Sequence, residues 1–494
     1  MSDEPSPGRS PVSRIVRGAV QNLGSAYFAR IVNWAANILL MRKLTETDFD
    51  SVAFSLSLLL MLGSLRKFGL HTALLHHYDR VDELVGTHFA LNTAIALAST
   101  AVTVSTGLLF ILGWKSDIVV AALIVFAVAD LLRALVQTSE TELRHQLRFG
   151  RVALSHSTAT LVTSLVAVVL VYGGFGVWSL ILGFSIYSVA YVVIYAAMIW
   201  ARRPPKLRHL LHLDREAVAS LMRYGRWFWV ANILQALSLQ FDRFVVGVVL
   251  PKGVLGFYDR AHAFAQMPTG AVTHTILSVT GTVYARYQND RVRLSAAYRR
   301  VLRLIVRTTL PITMVLVAET PALIHLLVGE RWLPLVSILR WLCVYTLCRP
   351  ILEDVQALLL GVGRPKAVAG FMGVQAGVLV LLTPPLTMHW GTVGAAVSMD
   401  IAAVLGLALA LRAAAVFVDV PWGRALGPPL AAAAIAITAR ILLSDAIAEL
   451  SPLPSFVAGA TLLSVVYAGG LLILERRELI DEIGRLWSAF SERS

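Results

Sequence analysis

LRHQLRFGRVALSHSTATLVTSLVAVVLVYGGFGVWSLILG, running from Leu143 to Gly183, decides the fold. A basic cluster opens an apolar run, and a glycine turn leads from it into the next. About 20 residues of helix cross a hydrocarbon core of about 30 Å, so the run reads as a membrane span and the turn as the link to its successor. The pattern recurs along the chain, which is 57% hydrophobic and 15% charged and therefore far more apolar than soluble domains. In lipid every backbone N–H and C=O needs an internal partner, which leaves helices as the spanning element. The expected fold is an all-α polytopic membrane protein of about 14 transmembrane helices, centred near Val32, Leu60, Ala98, Phe126, Val162, Tyr187, Leu234, Val272, Val315, Val344, Gly377, Leu405, Ile435 and Val465.

Lys and Arg collect in cytoplasmic loops. With the N-terminus inside, the inner segments hold most of the 43 Lys and Arg, notably Arg202 to Arg226 and Arg286 to Arg307, whereas the outer loop from Leu443 to Pro454 has only Asp445 and Glu449. An even span count places both termini in the cytoplasm. The start, Met1 to Pro11, reads as a polar leader without a signal-peptide cleavage site. The net charge of +13 reads as this topogenic charge plus lipid headgroup contact, not as a nucleic-acid footprint. Cys343 and Cys348 share one span and give no disulfide framework.

Three landmarks occur twice in the same order: LTETDFD (Leu44 to Asp50) with LPKGVLG (Leu250 to Gly256), Gly150-Arg151 with Gly363-Arg364, and GFGV (Gly174 to Val177) with WGTVG (Trp390 to Gly394). Their similar offsets indicate two parallel copies of a six-helix unit that rock about a central cavity. The expected domains are an N-lobe over residues 1–200, a basic inter-lobe linker over 201–226 with an amphipathic surface helix, a C-lobe over 227–416, two added spans over 417–474, and an amphipathic helix at the inner interface over 475–494.

Ionisable groups inside spans cost from about 2.5 kcal/mol upward and so need a partner or a wet cavity. Arg30, Asn33 and Asn37 share one helix face; Asp130, Arg133, Gln137 and Glu140 repeat the device in the fourth span, and Asn232, Gln235 and Asp242 in the seventh, beside Gln240 and Arg243. Lys67, Glu319, Arg340, Glu353 and Asp354 also fall in spans. Basic groups in spans, with Arg66, Arg349 and Arg440 among them, outnumber the acids, giving a cationic cavity suited to an anionic substrate. A guanidinium fork grips phosphate oxygens by two bonds. The competing reading makes Asp130 with Arg133, and Asp242 with Arg243, local pairs that hold helices together, and makes Arg66 a snorkelling residue at an interface. His71, His76, His77 and Asp79 cluster without a second ligand group of fixed spacing, so no metal site is expected. No P-loop, GxSxG or HExxH is present, so neither ATP hydrolysis nor covalent catalysis is expected, and no cofactor.

Together with the opening stretch, DRFVVGVVLPKGVLGFYDRAHAFAQMP (Asp242 to Pro268), the segment from Pro311 to Arg340 that carries GERW (Gly329 to Trp332), and ALLLGVGRPKA (Ala357 to Ala367) resemble the polysaccharide and O-antigen flippases of the multidrug/oligosaccharidyl-lipid/polysaccharide (MOP) exporter superfamily. VTGTVYAR (Val279 to Arg286) departs from that family, whose members usually carry a proline there. The resemblance implies a V-shaped transporter of the cytoplasmic membrane that takes an undecaprenyl-diphosphate-linked oligosaccharide from the inner to the outer leaflet by alternating access. It implies Arg30, Arg133, Arg243, Arg349 and Arg66 at the diphosphate, Asn33, Asn37, Gln137, Asn232 and Gln235 at the sugar, and Asp130, Asp242 and Asp400 in coupling to H+ or Na+. The polysaccharide polymerase machinery is an expected partner, and a monomer is the expected unit. A multidrug exporter of the same superfamily would want an acidic cavity. A membrane glycan polymerase or ligase would want a large outer loop, which this chain lacks.

Overall fold

The computed structural model describes residues 11–66, 68, 70, 81–111, 117–145, 148–200 and 215–475. The His71 to Asp79 cluster, Lys67, most of the inter-lobe linker and nearly all of the C-terminal amphipathic segment lie outside these residues. The described residues form helices, turns and no strand. Compact packing divides the chain into Met1–Gly256 and Phe257–Ser494. The expected lobe boundary lies earlier, at residue 227, so the helix over Arg215–Val249, expected to open the C-lobe, packs with the first compact unit.

The first unit contains α1 (Pro11–Lys43), α2 (Glu46–Ser64), α3 (Val81–Ile111), α4 (Asp117–His145), α5 (Phe149–Tyr172), α6 (Trp178–Trp200) and α7 (Arg215–Val249). Helix α1 packs on α5, α5 on α6, α6 on α4, α4 on α3 and α2, and α2 on α7. Leu58, Leu59, Leu123, Phe126 and Ile181 fill the junction of α2, α4 and α6. Thr45 caps α2 by accepting from the Asp48 N–H while the Asp48 carboxylate accepts from the Thr45 N–H, a reciprocal box that meets two of the four orphan donors at that helix start.

The two copies of the first landmark lie against each other. Asp50 Oδ1, buried in α2, accepts from the Leu255 N–H at 3.0 Å, and a Cβ at Gly256 would stand 2.0 Å from the Glu46 carbonyl oxygen. Only glycine fits there. Two matching stretches of sequence thus form a backbone seam closed by one carboxylate.

Helix α8 (Val254–Arg286) leads into the second unit, which continues with α9 (Arg291–Leu327), a short 3-10 turn (Glu330–Trp332), α10 (Leu335–Trp341), α11 (Cys343–Gly361), α12 (Pro365–Ala414), α13 (Trp422–Leu442), α14 (Ser444–Ala448) and α15 (Pro452–Leu474). The 50 residues of α12 are two helices joined at Gly391, whose φ of 61° and ψ of −139° suit glycine alone. Helix α9 packs against α11, α13 and α15, and α13 packs on α15 around Leu310, Met314, Ala432, Ala436, Leu463 and Tyr467. Two ion pairs bolt the last helices to α9. Arg440 of α13 donates to Glu319, whose side chain is 1% exposed, and Arg307 Nε donates to Glu475 at 2.8 Å just beyond α15. A Cβ at Gly459 of α15 would lie 2.1 Å from Glu319 Oε1.

Each of the fourteen expected centres falls within a helix. By length and composition, eight described helices can cross a membrane, or nine if the pair α10 and α11, bent by 44°, is one span. Helix α12 counts once among them although it holds two expected centres. Helices α1, α7 and α8 are long enough, but their polar residues lower their hydropathy.

Candidate functional site

The polar residues of the first unit sort by what they touch. Asn33 Nδ2 donates to Ser164 Oγ of α5 at 3.1 Å, and Asn37 Nδ2 donates to the Asn33 carbonyl at 2.9 Å. Asn33 thus links α1 to α5, as polar residues between membrane helices commonly do, and Asn37 braces it from within α1. Arg66 is buried and its Nη2 donates to both oxygens of Asp130, at 2.8 and 2.7 Å. The pair therefore bridges α2 and α4. Asp130 takes Arg66 and not its neighbour Arg133 as partner, and Arg66 is an interior residue and not a snorkelling one.

Arg133, freed from Asp130, stands on aromatic rings. Its guanidinium carbon lies 5.5 Å from the centroid of Tyr187 and 5.8 Å from that of Tyr191, two residues one helical turn apart on α6 whose rings stack at 5.9 Å and 11°. Cation–π contact of this kind holds a guanidinium in place without neutralising it. Arg133 is exposed, and among the described residues no carboxylate pairs with it. Arg30 of α1 sits likewise 5.9 Å over the ring of Tyr27, half-buried.

Beneath Arg133 the tyrosine ledge is fastened by hydrogen bonds. Tyr191 Oη donates to Glu140 Oε2 at 2.6 Å, Arg144 donates to Glu140 Oε1 from Nε at 2.9 Å and Nη2 at 2.7 Å, and His156 of α5 places Nδ1 2.6 Å from Tyr187 Oη and Nε2 3.2 Å from Tyr191 Oη. Tyr195, a further turn along, lies 3.3 Å from the Tyr191 hydroxyl. The residues that shape this site and escaped sequence reasoning are His156, Tyr187, Tyr191 and Tyr195. Their signal was a ladder of tyrosines every fourth residue facing a histidine in an otherwise apolar span.

The remaining expected residues are dispersed. Arg243 Nη1 donates to the Leu239 carbonyl of its own helix at 2.7 Å, and Asp242 beside it is fully buried. Asn232 and Gln137 are half-buried and Gln235 is exposed. In the second unit Arg349 donates to Glu353 at 2.8 Å and to Tyr345 Oη, an arrangement closed within α11. Asp400 accepts from the Tyr345 N–H at 2.8 Å and so caps the first turn of α11 from α12. Asp354 is wholly buried and accepts from Tyr284 Oη at 2.8 Å. No cluster of three metal-ligating side chains occurs among the described residues.

This chain is similar over 154 residues to the lipopolysaccharide biosynthesis protein WzxC of Escherichia coli K12, at 26% identity and 31% of each chain. It is also similar over 299 residues to the succinoglycan biosynthesis transport protein ExoT of Rhizobium meliloti, at 24% identity, covering 60% of this chain and 58% of ExoT. The matched stretches thus span from about a third to somewhat over half of these relatives. Among solved structures, the lipid II flippase MurJ in its inward closed conformation superposes with a TM-score of 0.77 at 14% identity, over 93% of this chain and 100% of MurJ. That likeness establishes a shared all-α MOP-type fold. A family model described as polysaccharide biosynthesis protein matches residues 39–337, from the end of α1 into α10 and including the tyrosine ledge. A multi-pass membrane protein with this fold and this match belongs to the polysaccharide biosynthesis protein family.

Proposed function

We propose that this chain is a flippase that carries an undecaprenyl-diphosphate-linked oligosaccharide, the repeat unit of an O-antigen or exopolysaccharide, from the inner to the outer leaflet of the cytoplasmic membrane. The observation that carries the reading is Arg133. An exposed guanidinium on a fastened aromatic ledge, with no carboxylate partner among the described residues, keeps its donors for an anion and its orientation for a planar, bidentate one. Arg30 is the second such cation, and the diphosphate bridges or alternates between them. Gln137, one turn from Arg133, and Gln235 serve sugar hydroxyls. The lipid tail stays in the bilayer, both termini face the cytoplasm, and the repeat units rock to expose the site to each side in turn. The names of ExoT and MurJ, a transport protein and a flippase, favour the same class of cargo movement.

The test is glycan-lipid translocation in proteoliposomes. Arg133→Ala removes charge-assisted bonds of about 1.5–3 kcal/mol and is expected to slow translocation about 10- to 100-fold without loss of folded protein. Arg133→Lys keeps the charge but loses the planar fork, and is expected to recover little. Wild-type rates in both variants would remove Arg133 from the site.

A further inference from the structure

Helix α9 outlasts its partner α15. At 1.5 Å per residue its 37 residues span about 55 Å, well beyond a hydrocarbon core of about 30 Å, so its basic first turns stand clear of the lipid interior. One edge of these turns is taken by the loop after α12. Arg291 Nη2 donates to Asp419 Oδ1 at 2.7 Å, Arg299 Nη1 donates to the Asp419 carbonyl at 2.8 Å, and Ser295 Oγ accepts from the Asp419 N–H at 3.0 Å. The other edge carries Arg307, Arg303, Arg300 and Ala296 at helical steps of three and four, with Val292, 79% exposed, one turn further. Arg300 is exposed, and no carboxylate pairs with it among the described residues.

This edge continues the face that receives α15. The two helices run antiparallel: Glu319 of α9 lies against Gly459 of α15, and Arg307, earlier on α9, pairs with Glu475, beyond the end of α15. Between these levels Leu310 and Met314 meet Leu463, Tyr467 and Leu471. The described residues stop at Glu475, and the sequence runs on as RRELIDEIGRLWSAF, from Arg476 to Phe490. Carried forward at helical spacing, the face of Tyr467, Leu471 and Glu475 presents Glu478, Glu482, Leu486 and Phe490. Counted outward from the Arg307–Glu475 pair at equal rise, Glu478 comes beside Arg303, Glu482 level with Arg300, Leu486 with Ala296 and Phe490 with Val292. Acids thus meet the arginines, and apolar side chains meet the exposed apolar stretch. Arg476 and Arg477 fall on the far side, and Arg485 has Asp481 one turn before it as a partner.

We propose that the segment from Arg476 to Phe490 continues α15 as a helix and docks along this basic edge of α9, with Glu478 and Glu482 on Arg303 and Arg300 and with Leu486 and Phe490 over Ala296 and Val292. A short helix that holds Gly484 is marginal alone in water, so it needs a surface. Glu475 already ties its start to α9. An anionic membrane surface would attract the arginines of α9 but repel Glu478, Asp481 and Glu482 of the segment, whereas α9 suits both its acids and its apolar stripe. The docked segment withholds the basic edge from lipid phosphates. This goes beyond the flippase reading and does not rest on it.

The experiment is disulfide trapping in the full chain carrying Cys343→Ala and Cys348→Ala, in nanodiscs of phosphatidylcholine or of phosphatidylglycerol, read as loss of maleimide-reactive thiol. Ala296→Cys with Leu486→Cys is expected to lock on oxidation in both lipids, about tenfold faster than Ala296→Cys with Leu479→Cys, a pair about 10 Å off level. Glu478→Lys with Glu482→Lys is expected to slow the lock about tenfold, and adding Arg300→Glu with Arg303→Glu to restore it. Equal rates for the two cysteine pairs, or a lock indifferent to charge reversal, would overturn the docking. A lock in phosphatidylcholine that is lost in phosphatidylglycerol would overturn it too, and would give the arginines to lipid phosphates. If the cysteine-free chain does not fold, hydrogen exchange on the chain with its cysteines, in phosphatidylglycerol, decides. There the same charge reversal is expected to speed exchange over residues 476–490 about tenfold, whereas unchanged or slower exchange would place the segment on the membrane and overturn the proposal.

Discussion

Replacing Arg440 by Met strips Glu319 of its cation while leaving its carboxylate 1% exposed between α9, α13 and α15. Breaking a buried pair from one side costs about 3–5 kcal/mol, because a charge remains without compensation, whereas replacing both partners by apolar groups of similar volume is close to neutral. For a domain of this size each kcal/mol moves the midpoint by about 2–4 °C, so Arg440→Met is expected to lower it by on the order of 10 °C. Adding Glu319→Leu to Arg440→Met is expected to restore most of that loss, a coupling of about 2–3 kcal/mol in the double-mutant cycle. The readout is intrinsic-fluorescence melting of the purified chain in detergent, with the four proteins compared under one condition. A single Arg440→Met that melts within about 2 °C of wild type, or a double variant no better than the single, would show that the pair is not the clasp of the last helices.

At Gly256, alanine would bring a Cβ to 2.0 Å from the Glu46 carbonyl, and backbone cannot yield as a side chain can. Gly256→Ala is therefore expected to break the Asp50 bond to the Leu255 N–H and to lower the melting midpoint by several degrees, with the apolar core unchanged. Asp400→Ala removes a helix cap and is expected to cost about 1 kcal/mol in the same melt, while Asp400→Asn keeps the acceptor and costs less. Asn33→Ala breaks the link to Ser164 and is expected to cost about 1 kcal/mol of stability while translocation of the glycan lipid continues; a collapse of translocation with an unchanged melt would return Asn33 to the sugar site.

The helices were legible because lipid leaves the backbone one solution, so runs such as Val152 to Tyr172 announce themselves by length alone. What each embedded charge does was not legible, because its partner is set by packing between segments far apart in sequence. Asp130 lies three residues from Arg133 but takes Arg66, 64 residues away, and Asp400 serves an N–H 55 residues before it. Arg133 was visible as a cation in a span. The ledge that holds it was not, since Tyr187, Tyr191 and Tyr195 follow the same four-residue spacing as any apolar stripe and their hydroxyl partners lie on α4 and α5. The split of α12 at Gly391 is intermediate. The WGTVG landmark marked the place as the partner of GFGV, and the helix breaks there at one residue in place of a loop.

The seam between Leu44–Asp50 and Leu250–Gly256 bears on how such a chain could arise from a shorter one. At the repeat's offset Asp50 corresponds to Gly256, so the position that reaches across in one copy is the position that makes room in the other. Two identical subunits meeting at this place would share one patch facing itself, and a residue there could be the acid or the glycine but not both. Once both copies lie in a single polypeptide that restriction is lifted, and each half of the contact can specialise. The close approach at Gly256 is thus one that a symmetric dimer of half-length chains could not make in the same form.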